Sequence, residues 1–105
     1  MCRIFAGQAP ENYEYVTRSV RLGGHSTSIR LERSFWQTLE KIAVAQSMSL
    51  PKFLTVLHNE VVELRGEAVN FTSLLRCACL TYVSEVQGNA TRQSALKAEA
   101  LVAAE

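Results

Sequence analysis

Residues 28–61 read SIRLERSFWQTLEKIAVAQSMSLPKFLTVLHNEV, and within this stretch the spacing of the apolar side chains changes from two residues to about 3.6. Ile29 and Leu31 alternate with polar residues, which is the pattern of a half-buried strand. From Glu32 onward the apolar residues recur with helical spacing in two groups, first Phe35, Trp36, Leu39, Ile42 and Ala43, then Leu50, Phe53, Leu54, Leu57, Val61 and Leu64. The stretch therefore predicts one short strand followed directly by two amphipathic helices.

The ends of the second predicted helix carry local signals. Ser49 is a favourable N-cap, and Pro51 in the first turn needs no intrahelical donor. At the other end Arg65 places a cation near the helix C-terminus, and Gly66 can adopt the left-handed cap conformation. We expect the first helix to end near Gln46 and the second to run from this cap to Arg65.

A second strand pattern lies upstream of the first one. Residues 16–22 also alternate, and Gly23-Gly24 between the two patterns is a two-residue hairpin signal. In such a hairpin one face would carry Val16, Val20, Leu22, Thr27, Ile29 and Leu31. The opposite face would carry Thr17, Ser19, Arg21, Ser26, Ser28 and Arg30.

The remaining segments are less regular. Residues 1–15 show no apolar period, so we expect an irregular N-terminal arm. A third helix is predicted from Asn70 or Thr72 through Val86, which places the end of the domain at residue 86. Residues 87–105 are alanine-rich and lightly charged, and we expect a mobile or frayed helical tail. The domain itself is predicted to span residues 16–86.

Length and composition indicate one globular domain, because the chain has 105 residues, 48% of them hydrophobic and 20% charged. Charges interrupt every apolar stretch before it reaches the ~20 residues of a membrane span, and the apolar N-terminus is too short for a signal peptide. The odd cysteine count, with Cys2, Cys77 and Cys79, favours reduced thiols. We therefore expect a cytoplasmic protein.

No residue pattern indicates catalysis, a cofactor or a metal ion. Removal of Met1 would expose Cys2 as an N-terminal nucleophile beside its own amine, but that chemistry belongs to enzymes with a large β-sandwich. Too few residues are predicted as strand for such a domain. His25 and His58 are isolated, and we expect His25 in a turn and His58 partly exposed on the second helix. The chain is not expected to be an enzyme.

The distribution of charge indicates a nucleic-acid partner, and the uncovered apolar and backbone surface indicates a second copy of the chain. The net charge is only +1, yet Arg18, Arg21, Arg30 and Arg33 cluster around the single acid Glu32. Such a local field matters more than the total charge for nucleic-acid binding. One strand followed by two helices also leaves backbone groups unpaired and an apolar face open, which favours a homodimer with antiparallel strand pairing and interlocked helices.

Residues 28–61 resemble a ribbon-helix-helix domain of the bacterial repressor and antitoxin kind. The resemblance covers the strand, the helix directly after it, the serine-containing turn and the second helix. The longer stretch from the N-terminus through the third helix resembles a subgroup of short bacterial ribbon-helix-helix proteins. The implied fold is mainly α with a short intermolecular β-ribbon and a third helix, and the implied function is sequence-specific DNA-binding transcription regulation by a homodimer.

The resemblance also implies which residues contact DNA. Ser26, Ser28 and Arg30 would face the base edges of the major groove, where arginine can contact guanine with two hydrogen bonds. Phosphate would lie at the N-terminus of the second helix and beside two arginines, with contacts from Ser49, Leu50, Lys52, Arg33 and Arg21. Glu32 departs from the proline that often starts the first helix, and its carboxylate next to the groove is expected to repel phosphate.

Two alternatives follow from the same residues. If residues 16–22 pair with 25–31 in each chain, the dimer has a four-stranded sheet whose outer axes lie ~14 Å apart, wider than the ~12 Å major groove. Groove entry then requires residues 16–22 to lie elsewhere. The dimer can instead be a protein-interaction module, antitoxin-like or an adaptor, that uses its sheet face and its third helix or tail without binding DNA.

Overall fold

The computed structural model describes residues 3–103, so Cys2 and the last two tail residues lie outside the described part. Its elements are α1 (Arg3–Ala6), a 3-10 turn (Pro10–Tyr13), β1 (Tyr15–Leu22), β2 (His25–Glu32), α2 (Arg33–Ala45), α3 (Leu50–Arg65), α4 (Phe71–Thr81), a π-helical turn (Tyr82–Val86) and α5 (Ala90–Ala103). The chain is mainly helical, with an antiparallel ribbon that leads into helices, as the sequence predicts.

The two strands form a hairpin within one chain. β1 pairs antiparallel with β2, and the Leu22–His25 pair closes on Gly23 and Gly24. Both glycines have positive φ, 57° and 80°, which matches the turn whose twist suits a two-residue loop. The prediction of a single strand without a partner inside one chain is therefore wrong, because β1 pairs with β2.

The hairpin buries one face against the helices. Ile29 is 2% exposed and Leu31 is 0% exposed within the single chain, so no second copy is needed to cover them. Trp36 of α2 donates from Nε1 to the Val16 carbonyl oxygen at 2.9 Å, and Thr55 of α3 donates to the Arg21 carbonyl oxygen at 3.2 Å. These two bonds hold β1 onto the helices.

Helices α2, α3 and α4 supply the rest of the core. α3 begins and ends as its sequence signals predict, since Ser49 accepts from the Lys52 amide at 3.3 Å and Gly66 adopts φ 85°. The apolar stripe of α3 is buried only at its N-terminal half. Leu50, Phe53 and Leu54 are in the core, whereas Leu64 is 81% exposed.

Residues 3–14 differ from the irregular arm that the sequence predicts. They contain two short helical turns, and their end caps α2. The Arg33 amide donates to the Glu14 carbonyl oxygen at 2.8 Å, and the Ser34 hydroxyl donates to the Asn12 carbonyl oxygen. The first amides of a helix have no hydrogen-bond partner within it, and the side chain of the N-cap residue Glu32 does not accept from them. The Glu14 carbonyl oxygen accepts from one of these amides instead.

The C-terminal third is also more regular than the sequence indicates. The third helix changes from α to π geometry at Tyr82, and residues 90–103 form α5. Asn89 caps α5 by accepting from the Arg92 amide at 3.0 Å, and Ala100 is buried. Among residues 3–103, no helix has the length and apolar content needed to cross a membrane.

Candidate nucleic-acid interface

The outward face of the hairpin brings the predicted base-contacting residues together. Ser26, Ser28 and Arg30 are all exposed on β2. Their neighbours on β1 are the exposed Thr17, Ser19 and Arg21, in direct register with Arg30, Ser28 and Ser26 respectively. The face is thus a strip of hydroxyl and guanidinium groups, and these are groups that can donate to phosphates and base edges.

Tyr15 is a member of this face that the sequence analysis missed. The Arg30 guanidinium carbon lies 4.3 Å from the centre of the Tyr15 ring. Stacking on the ring orients the guanidinium and leaves its hydrogen-bonding edge available. The predicted boundary at residue 16 places Tyr15 in the N-terminal arm, although the alternating pattern Tyr15, Thr17, Ser19, Arg21 includes it in the strand.

The predicted arginine cluster is divided between two faces. Arg18 lies on the helix side of the hairpin. Its guanidinium carbon is 4.8 Å from the centre of the Trp36 ring, and its Nη1 atom is 3.3 Å from Oε1 of Glu40. Arg33 pairs with Glu14 at 3.8 Å. The cations on the outer face are therefore Arg21 and Arg30, and Arg21 also donates to the Gly24 carbonyl oxygen at 3.1 Å.

Glu32 does not present a free negative charge to the sheet. Arg76 of α4 donates to its carboxylate from Nη2 at 2.8 Å and from Nε at 3.2 Å. These hydrogen bonds hold the pKa of Glu32 below its usual value. The expected repulsion of phosphate by this residue is thus offset. Arg76 lies 44 residues away in sequence, and no local signal predicts the pair.

The N-terminus of α3 lies beside β1. Ser49 and Leu50 line a shallow cleft together with Arg18 and Ser19, which places the predicted phosphate contacts at the β1 side of the sheet. The Lys52 amide already donates to Ser49, and Pro51 has no amide hydrogen. The Leu50 amide and the exposed Lys52 ammonium therefore remain for an anion at this helix end.

The other edge of the sheet, along β2, has no strand partner among residues 3–103. The sheet has two strands, so β2 has a neighbour on one side only. In an antiparallel hairpin, every second residue pair is joined by backbone hydrogen bonds, and here this series begins with the Leu22–His25 pair next to the turn. Ser26, Ser28 and Arg30 belong to the pairs in between, so their backbone N–H and C=O groups point away from β1. An open cleft runs beside this edge, with His58 and Phe71 among its lining residues. A further strand can pair here.

The two histidines lie near that cleft. His25 begins β2 just after the turn, and His58 is half-buried on α3, with its ring edge-on to Phe71 at 5.2 Å between centroids. The Nδ1 atom of His58 is buried and makes no hydrogen bond within the described part of the chain. Across residues 3–103, no three His, Cys, Asp or Glu side chains meet in a group suited to a metal ion.

Comparison with known proteins gives two matches. The family model described as "Ribbon-helix-helix domain" matches residues 15–83. Among solved structures, an uncharacterized protein from Bordetella pertussis Tohama I is 39% identical in sequence, with a TM-score of 0.82. That match covers 96% of this chain and 86% of the other. No curated protein matches the chain.

Proposed function

This chain belongs to the ribbon-helix-helix family, and from that premise we propose that it is a homodimeric, sequence-specific DNA-binding regulator of transcription, without enzymatic activity, that acts in the cytoplasm. The main support is the outward face of the hairpin. It is exposed, it lacks free carboxylates among the described residues, and it combines hydroxyl groups with Arg21 and Arg30.

The proposed dimer forms along the unpaired edge of β2. Two copies of β2 pair antiparallel, because each offers the backbone groups of Ser26, Ser28 and Arg30 to the other. The result is a four-stranded sheet in which the two β2 strands are central and each β1 strand lies at an outer edge. Exposed apolar side chains on the helices, such as Leu64 and Val62 of α3, give the second copy further surface to cover.

This sheet is too wide for its strands to enter the groove side by side. The bonds from Trp36 and Thr55 hold β1 in place, so release of residues 16–22 is not part of the proposal. Instead, outer strands ~14 Å apart lie over the two backbones of a major groove that is ~12 Å wide. Ser26, Ser28 and Arg30 then face the base edges from the central strands, and Arg30 has the longest reach.

Phosphate contacts come from the flanks in this arrangement. Arg21 lies on the outer strand. Ser49 and Leu50 line a cleft with Arg18 and Ser19 of that strand, and Lys52 follows them in the first turn of α3. Arg33 follows β2 at the start of α2, where its pairing with Glu14 is long and exposed enough to yield to a phosphate. These groups position the protein on the duplex, whereas Arg30 supplies discrimination between bases.

A second candidate function is a protein-interaction module without DNA binding. The anchored position of β1 favours this function. With β1 on both outer edges the sheet is wider than the major groove, so the central β2 strands cannot enter the groove as deeply as a two-stranded ribbon does. In that case β2, α4 or α5 would contact a protein partner, as in an antitoxin or an adaptor.

Gel mobility with bulk genomic DNA separates the two functions. The wild-type chain should retard DNA at about 50 mM salt and release most of it at about 200 mM, since phosphate contacts are salt-dependent. Arg21→Ala with Arg30→Ala should abolish retardation. Arg65→Ala is the matched control, because Arg65 is an exposed arginine at the far end of α3. Absence of retardation by the wild type at low salt would overturn the proposal and favour the interaction module.

A further inference from the structure

An apolar cavity lies among the C-terminal helices, apart from the hairpin. Its volume is about 340 Å³, and no strand residue lines it. Ile42 of α2 lines one side, and three further helices each present one face to it. Phe53, Leu57 and Glu60 come from α3, and Leu96, Glu99 and Ala103 come from α5. α4 adds Leu74, Cys77, Ala78 and Thr81, and the spacing of three and four residues in each set is that of a single helix face.

The π-helical turn after α4 forms part of the wall. Tyr82 and Val86, the first and last residues of that turn, both line the cavity. A π-turn interrupts regular helical hydrogen bonding and occurs frequently at functional sites. Here the turn places the Tyr82 ring and the Val86 side chain along one wall of the cavity.

The cavity has the properties of a small-molecule site. Ligand pockets measure ~300–1,000 Å³ and are mostly apolar, with a few polar groups that orient the ligand. The cavity is open to solvent on one side, since Glu60, Cys77, Thr81 and Glu99 in its lining are exposed, so water occupies it in the free protein. A compact hydrocarbon group would displace this water from the apolar part of the lining.

Two carboxylates give the cavity its charge preference. Glu60 and Glu99 both line it as exposed residues, and neither forms an ion pair within residues 3–103. Burial raises the pKa of Glu60, and the negative charges of Glu99 and Glu63 raise it further. An apolar space with two unpaired carboxylates favours a cation over a neutral or anionic occupant.

We propose that this cavity binds a small organic cation, a primary amine on a compact apolar body, with the ammonium group between Glu60 and Glu99. A bare divalent metal ion does not suit it, because such ions need six or more oxygen ligands and the remaining lining is mostly apolar. An organic anion would be repelled. The proposal does not depend on DNA binding, and its tests contain no nucleic acid.

Occupancy of the cavity would hold α5 against α3, because the amine would contact one carboxylate on each helix. Ala100 is buried in α5, whereas Leu101 and Val102 are 71% and 70% exposed, so α5 has little apolar burial of its own. A bound amine should therefore slow hydrogen exchange of the α5 amides more than that of the α2 amides.

The binding test uses 1-adamantylamine as the probe, titrated into the full ¹⁵N-labelled chain. We expect saturable 1:1 binding, with shifts centred on the amides of the cavity-lining residues. Adamantane-1-carboxylate, with the same body and the opposite charge, should bind at least about tenfold more weakly. 1-Adamantanol, with no charge, should fall between them. Absence of saturable amine binding, or equal affinity for amine and carboxylate, would overturn the proposal.

Variants test where the charge acts. Glu60→Gln and Glu99→Gln should each lower the affinity for 1-adamantylamine about tenfold and leave that for 1-adamantanol unchanged. Glu63→Gln is the matched control, because Glu63 lies on the same helix but does not line the cavity, and it should change amine affinity less than about threefold. Ala78→Leu should fill the space and abolish binding of both probes. Unchanged amine affinity in both the Glu60 and Glu99 variants would contradict the proposed site.

Discussion

Arg76 of α4 donates two hydrogen bonds to one carboxylate oxygen of Glu32, and in doing so it joins the third helix to the junction between β2 and α2. The Nη2 bond is 2.8 Å long and the Nε bond is 3.2 Å long. The guanidinium carbon also lies 5.9 Å from the centre of the Phe35 ring, at the start of α2. The side chains are 33% and 22% exposed, so water screens the pair only in part. This contact fixes α4 relative to the sheet.

Replacing the Glu32 carboxylate should therefore destabilise the fold in a pH-dependent way. Glu32→Gln should lower the free energy of unfolding by about 1 kcal/mol at pH 7, a value expected for a partly screened pair. The pKa of Glu32 is lowered in the folded state, so its stabilisation is complete above the usual value of 4.5 and is lost as the pH falls through the lowered pKa. Urea unfolding of both proteins between pH 7 and pH 2 checks this. A difference that persists unchanged at the lowest pH would exclude the ion pair as its source.

The segment before β1 should have one dispensable part and one that stabilises the fold. Deletion of residues 1–8 should leave stability unchanged, because the buried residues are elsewhere. Deletion of residues 1–14 removes the Glu14 carbonyl that accepts from the Arg33 amide and the Asn12 carbonyl that accepts from the Ser34 hydroxyl, and it should cost about 1–2 kcal/mol. Thermal unfolding of the two truncated chains provides the comparison. Equal stability of both would show that these two hydrogen bonds contribute nothing.

The two cysteines of α4 should differ in reactivity. Burial raises the pKa of Cys79 to about 11, and its thiol donates to the Phe35 carbonyl oxygen at 3.5 Å. Cys77 is exposed. In a Cys2→Ser background at pH 8, iodoacetamide should modify Cys77 first and Cys79 about a hundredfold more slowly. The Cys79 rate should continue to rise up to pH 11. Equal rates in the folded protein, read by mass spectrometry, would contradict the buried position.

Base and phosphate contacts should respond differently to substitution. Arg30→Ala should cost ~1–3 kcal/mol on a preferred DNA site and reduce discrimination at one base position. Lys52→Ala should weaken binding to all sequences alike and flatten the salt dependence. Fluorescence anisotropy with selected and scrambled duplexes measures both. If neither substitution changes retention at low salt, the assigned contacts are wrong.

Local signals predict the parts of the fold that depend on neighbouring residues. Gly23-Gly24 predicts the hairpin, and Ser49 and Gly66 predict the limits of α3, because turns and caps involve residues close in sequence. The alternation of polar and apolar residues also predicts which face of the hairpin is exposed. These signals were sufficient to place the candidate interface on β2.

Contacts between distant segments could not be predicted in this way. Charge alone groups Arg18 with an exposed basic face, but its position between Val16 and Val20 places it on the helix side of the hairpin. That Trp36 and Glu40 lie there, to stack on it and pair with it, depends on the placement of α2 and could not be predicted. The pairing of Glu32 with Arg76 likewise depends on the placement of α4. The helix in residues 90–103 forms with an Asn89 cap and the burial of Ala100, and burial of this kind leaves little trace in an alanine-rich sequence.

The proposed dimer depends on the backbone edge of β2, and proline substitution tests that edge directly. Ser28 and Ser19 lie opposite each other in the hairpin, at a pair whose amides point to the outside on both strands. Ser28→Pro removes an amide that the second copy of β2 needs, and it leaves the hydrogen bonds between β1 and β2 intact. Ser19→Pro makes the same change on the outer edge of β1, where no copy is proposed to pair.

Light scattering of the wild type and these two variants tests most directly whether two chains pair along β2. The wild type and Ser19→Pro should scatter at twice the 11.7 kDa mass of one chain and retard DNA. Ser28→Pro should be a folded monomer by circular dichroism, because the core closes within one chain, and it should not retard DNA. A wild type that scatters at 11.7 kDa, or a Ser28→Pro variant that remains a dimer, would contradict the pairing of β2.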